Sequence, residues 1–133
     1  MELKRRGAGS AVYDYPVELV WRSIANDKGA KIEPIDDETF STTPPENVIY
    51  TRAAEIKTNE SFTLQMKCRR YEAQWRFTLT PLAPCRTRLE ARAEVTYSGM
   101  RDYLLAGAGG GIHREVKIFL TTIGDKLKKS VKA

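Results

Sequence analysis

Two cysteines and a single histidine leave this chain short of the residues that build cross-links and metal centres. Cys68 falls in a strand-like stretch and Cys85 in a turn-like one, with no second pair near either. Neither a disulfide framework nor a zinc site is expected, and both are read as reduced thiols. His113 is the lone imidazole, which argues further against a bound metal, and no cofactor is expected. No run of eighteen or more apolar residues occurs, so no helix is expected to span a membrane. The basic opening of residues 1–6 is not followed by the apolar run that a secretory leader needs, and cytoplasm is the default compartment. The net charge of +5 is interspersed with acids, and no aromatic residues interleave with the basic ones as single-strand binding requires. Lys126, Lys128, Lys129 and Lys132 gather instead where cations favour the negative end of a helix dipole. No nucleic-acid partner is expected.

What the chain does have is strong patterning. With 133 residues it is long enough for one core and too short for two. The expected layout is a flexible N-terminus over residues 1–9, one domain over 10–129 and a basic tail over 130–133. Residues 111–129 carry the clearest signal. At about 100° per residue, Ile112, Val116, Phe119, Leu120, Ile123 and Leu127 fall on one stripe, and Arg114, Lys117, Thr121, Asp125 and Lys128 point away. A helix of that kind needs a partner surface, because propensity alone rarely holds it in water.

The partner is supplied upstream. Period-two alternation marks residues 61–69, where Phe62, Leu64, Met66 and Cys68 share a face, then Ala73, Trp75, Phe77 and Leu79, then Leu89, Ala91, Ala93, Val95 and Tyr97. Residues 48–57 alternate too, with Val48, Tyr50, Ala54 and Ile56 on the apolar face and Arg52 among them. Short turns between four such runs require an antiparallel meander, since parallel neighbours need long crossovers. Ahead of it, residues 10–14 read as a first strand. Pro16 suits a helix start, and Val17, Val20, Trp21 and Ile24 form one helical face running to about Asn26. Residues 30–45 carry the poorest signal and suggest a hairpin around Asp36-Asp37. Acidic residues there are read as a turn rather than as metal ligands.

A strand running into Tyr15-Pro16-Val17-Glu18-Leu19-Val20-Trp21, the pair 75–82 and 85–89, and the long closing helix together resemble the helix-grip superfamily of START domains, polyketide cyclases, Bet v 1 relatives and coenzyme Q-binding proteins. The resemblance covers residues 10–129 and implies an α+β fold: a curved antiparallel sheet wrapped around a long C-terminal helix, with a short helix after the first strand. Two departures stand out. Residues 30–45 show no clear apolar face for the second short helix many relatives have, and the run Gly107-Ala108-Gly109-Gly110-Gly111 precedes the last helix.

That run lacks the Gly-Lys-Ser/Thr of a phosphate loop and the spacing of a dinucleotide fingerprint. It reads either as a connector that lets the helix settle or as a hinge at a cavity, with Met100, Tyr103, Leu104 and Leu105 as the lip. His113 is either a rim residue or a base, and nothing nearby in sequence completes a catalytic pair. Arg52 either snorkels to an edge or anchors a ligand's polar head. Tyr50, Trp75, Phe77, Tyr97 and Phe119 are core or pocket wall. The expected lining is therefore Tyr50, Arg52, Leu64, Met66, Trp75, Phe77, Tyr97, Tyr103, Ile112, His113, Val116 and Phe119. The function expected is binding of a small hydrophobic or amphipathic molecule, a lipid, isoprenoid or polyketide-like compound, between sheet and helix. An enzyme of the cyclase or dehydratase type ranks second, for want of an acid/base dyad, and a protein- or ribosome-interacting regulator third.

Overall fold

The computed structural model describes residues 3–29, 35–107 and 111–131. Five strands form one antiparallel sheet in the order β1-β5-β4-β3-β2, with β1 at Lys4–Tyr13, β2 at Tyr50–Lys57, β3 at Ser61–Lys67, β4 at Tyr71–Ala83 and β5 at Arg86–Tyr97. The helices are α1 (Val17–Gly29), α2 (Asp37–Phe40), α3 (Met100–Gly107) and α4 (Gly111–Val131). None of them, among the described residues, is long and apolar enough to cross a membrane.

The meander of β2 to β5 is as expected, and β1 closes it by pairing with β5 over its whole length. That pairing overrides the basic, glycine-containing sequence of residues 4–9, which is strand where a flexible end was expected. Register fixes the faces. Rows such as Phe62–Phe77–Ala91–Gly9 and Leu64–Trp75–Ala93–Gly7 point toward α4, and Gln65–Gln74–Glu94–Arg6 points away. The α4 stripe is buried at Val116, Phe119, Leu120, Ile123 and Leu127, with Ile112 half-buried at its start. Val20 and Ile24 of α1 join the same core, and Trp21 meets Phe62 edge-on with ring centroids 5.2 Å apart. Rings continue inward through Phe62–Phe77 at 4.8 Å and Phe77–Phe119 at 5.1 Å. Full burial of each such side chain is worth about 1.5–3 kcal/mol against exposure.

Helix α4 sits directly on β1. A Cβ on Gly7 would lie 2.7 Å from the backbone nitrogen of His113 and 2.8 Å from the carbonyl carbon of Ile112, so only glycine allows this approach. One turn and more along, the Tyr13 hydroxyl donates to the Leu120 carbonyl at 2.6 Å. Gly111 opens α4 at φ +62°, a left-handed conformation that glycine takes without a Cβ penalty. The rest of the glycine run, residues 108–110, lies outside the described residues, as does the 30–34 part of the expected hairpin.

Two expectations are corrected here. The stretch after residue 35 holds a helical turn, α2, because Asp36 caps it by accepting from the Thr39 backbone N–H at 2.6 Å. In β2 the faces are reversed. Ala53 pairs with Leu64 and Thr51 with Met66, which puts Tyr50, Arg52 and Ala54 on the outer face with Lys67, Gln65 and Thr63. A register shift between Ala54 and Lys57, with Glu55 at φ 53°, then ends the alternation and leaves Ile56 58 % exposed. This edge strand meets α2 on its outer face, where Asp37 and Phe40 hold Arg52, so apolar count is a poor guide to its faces.

Gly7→Ala pushes the backbones of β1 and α4 apart and is expected to cost about 1–3 kcal/mol, the range for overpacking. Gly9→Ala meets only the side-chain methyls of Val116 and Leu120, at 3.1 and 3.2 Å, and should cost less. Urea unfolding checks the order, and equal costs would show a helix free to slide. Burial also pushes the Tyr13 phenol well above its ordinary value of 10.0. The unfolded chain releases that proton first, so the stability it contributes is whole below the ordinary value and is lost as pH rises past it. Tyr13→Phe should flatten this alkaline loss in denaturant midpoints measured across the range, and cost about 0.5–1.5 kcal/mol at neutral pH for the missing hydrogen bond.

Candidate functional site

Packing between sheet and α4 is solid at one end and open at the other. The open end is a cleft of about 590 Å³ over β3, β4 and β5. Its floor follows from the register. Met66, Ala73 and Val95 form one cross-strand row in which the central strand contributes a single methyl, so a depression lies between Trp75 on one side and the Tyr71–Tyr97 pair on the other. Leu105 and Ala106 of α3 form one wall. Gly111, Ile112, Arg114, Glu115 and Ile118 of α4 form the other. Leu105 and Ile118 are also well exposed, so the mouth presents apolar surface outward.

Helix α3 is held across this opening by Arg5. Position 5 pairs with Val95 and so belongs to the inner face, where its Nε donates to the Tyr103 carbonyl at 2.9 Å and its guanidinium lies 4.1 Å from the Tyr103 ring centroid. Gly107 leaves the space the guanidinium needs. Tyr103 in turn meets Tyr97 edge-on, with centroids 6.2 Å apart. Burial raises the Tyr97 phenol above its usual range, an effect the Arg5 charge partly offsets. Burial raises Tyr71 as well, with Cys68 adding to it. Both phenols therefore stay protonated at neutral pH and can donate hydrogen bonds to a guest.

The expected lining residues separate into groups. Met66, Trp75, Tyr97 and Ile112 line the cleft, and Tyr103 stands behind Tyr97. Leu64, Phe77, Val116 and Phe119 face inward but are buried in the solid core. Tyr50 and Arg52 are on the other side of the sheet. There Arg52 binds Gln65 at 2.7 Å and Asp37 at 2.6 Å, and stacks over Phe40 at 4.0 Å. Asp37 of the acidic stretch is thus occupied by Arg52, and Asp36 by its cap. His113 is exposed and borders a different groove beside β1. Tyr71 was within reach of sequence reasoning, since it continues the period of Ala73 and Trp75. Arg5, Arg114 and Glu115 carried no such signal.

No protein-family model matches the sequence, nor does any curated protein. Solved structures do match. A conserved protein from Geobacillus kaustophilus superposes with a TM-score of 0.65 at 18% identity, covering 95% of this chain and 97% of its own. A START superfamily protein from Mycobacterium smegmatis gives 0.64 at 12%, covering 93% and 97%. A norcoclaurine synthase from Thalictrum flavum, solved as a point mutant with a transition-state analogue, gives 0.62 at 7%, covering 98% of each chain. At these identities the likeness concerns the fold, which is the helix-grip fold expected from the sequence.

Arg5→Met keeps length and apolar bulk but removes both the hydrogen bond and the cation–π contact to Tyr103. The expected loss is about 1–2 kcal/mol, with faster amide exchange confined to α3 and the start of α4. Unchanged exchange in α3 would show that the helix is held by other contacts.

Proposed function

We propose that the cleft reversibly binds a small hydrophobic or amphipathic molecule of the lipid, isoprenoid or polyketide-like class. The observation that carries this reading is the depression at Ala73, an apolar floor inside a cleft of about 590 Å³. Small-molecule sites run from about 300 to 1,000 Å³, mostly apolar with a few polar groups. An apolar body fits against Met66, Trp75 and Val95, and a polar end meets the Tyr71 and Tyr97 hydroxyls or Arg114 and Glu115 at the mouth. The likeness in fold to a START superfamily protein and to a norcoclaurine synthase solved with a transition-state analogue supports a ligand-binding reading. The cyclase or dehydratase reading loses two of its candidates, because Arg52 and His113 do not face the cleft. What remains for it is a carbonyl polarised by a neutral tyrosine.

Trp75 lies in the cleft and Trp21 does not, so a Trp21→Phe background isolates the reporter. Saturable change in its emission is expected with long-chain fatty acids or fused aromatic compounds, alongside a carried ligand in native mass spectrometry after organic extraction. Ala73→Leu fills the depression and should weaken binding by roughly tenfold, about 1.4 kcal/mol. No carried ligand and no Trp75 response across a lipid and aromatic library would remove the proposal.

A further inference from the structure

The outer face of the sheet holds an arrangement of charge that the cleft does not use. Residues directly opposite on antiparallel strands share a face, and the register of β4 and β5 sets Arg76 against Arg92. Like charges so placed are destabilising. Elsewhere on this face the same geometry sets cation against carboxylate, as in Lys67–Glu72 at 3.7 Å and Arg6–Glu94 at 2.9 Å. Arg76 is compensated by Glu55, which the bulge in β2 brings to 3.0 Å. Arg92 is exposed and has no hydrogen-bond or ion-pair partner among the described residues. On its β1 side it faces only the methyl of Ala8.

A groove of about 710 Å³ runs over this spot, with Arg6, Arg76 and Arg92 around it, Gln74 and Ala8 at its base, and His113 at the β1 edge. Glu94 also borders it, but its carboxylate is already held by Lys4 at 3.1 Å and Arg6 at 2.9 Å, which keep it well below the usual carboxylate range. Of the three arginines around the groove, Arg6 is paired with Glu94 and Arg76 with Glu55, while Arg92 has Glu90 two residues along β5 on the same face but no ion pair with it. Guanidinium forks match phosphate oxygens in pairs. Among the described residues the His113 imidazole at its edge is the one ring bordering the groove, so it has no row of rings on which successive nucleic-acid bases could stack.

We propose that this groove is a second site, for a phosphate-bearing small molecule, with Arg92 as the principal contact and Arg76 and Arg6 beside it. Three guanidinium groups around one groove suit a phosphate or diphosphate, whose oxygens accept from several donors at once. The site lies across the sheet from the cleft and does not depend on what the cleft holds.

Inorganic pyrophosphate is the probe. At low ionic strength it should bind saturably by calorimetry and raise Tm beyond chloride at matched ionic strength, with affinity falling as salt is added. Arg92→Gln should weaken binding by roughly tenfold or more. Its own ligand-free Tm should stay at or above that of the parent, because the substitution removes a like-charge pair. Arg88→Gln changes an exposed arginine on the same face outside the groove and should alter binding by less than about twofold, as diffuse screening predicts. Vesicles containing phosphatidic acid separate the sources of the phosphate. Retention that pyrophosphate reverses assigns a lipid head group, and no retention assigns a soluble phosphate. The proposal is overturned by absence of saturable pyrophosphate binding, by equal losses in the two variants, or by tighter binding of single-stranded RNA that both variants weaken alike.

Discussion

Everything in this molecule is referred to the place where α4 touches β1. At Gly7 the absence of a side chain brings the Ile112–His113 backbone against the strand, and at Tyr13 a buried hydroxyl holds the Leu120 carbonyl. Two fixed points on one edge strand commit the helix to that edge. Its C-terminal half, together with α1, fills the interior solidly with Val20, Ile24, Phe77, Ile123 and Leu127. Beside its N-terminal half, over β3, β4 and β5, the interior opens between α4 and α3. The cleft is the space that remains, and α3 bridges it.

How far the sequence discloses this depends on which positions burial constrains. In β3, β4 and β5 one face is covered and the other wet, so period two in Phe62-Leu64, Trp75-Phe77 and Leu89-Ala91 reads directly. The α4 stripe reads equally well. β2 does not, because an edge strand tolerates apolar residues on either face, α2 draws Arg52 to the outer one, and Glu55 interrupts its phase. β1 is hidden for a different reason. Its inner positions, Arg5, Gly7 and Gly9, are chosen for how near they let α3 and α4 come, and neither hydropathy nor strand propensity registers nearness.

The cleft was legible to the same degree. Alternation tells which way a strand residue points, and it placed Met66, Trp75 and Tyr97 correctly with Leu64 and Phe77. It does not tell how far along the sheet the helices reach, and that distance separates cleft wall from solid core. Ala73 shows the limit well. As one alanine in an apolar face it looks like filler, yet its small size between Met66 and Val95 is what makes the depression.

The two faces of β1 do different work. Inside, small residues let a helix come close. Outside, Ala8 leaves Arg92 without a neighbour across the strand. Both effects come from lack of side-chain volume in one strand, which seats α4 on one side and leaves charge uncompensated on the other. The phenols of the cleft, with an ordinary value of 10.0, are uncharged at neutral pH, and burial raises Tyr71 and Tyr97 further from that range. A guest in the cleft meets β4 and β5 through Ala73, Trp75 and Val95, whose positions the five-stranded ladder already fixes.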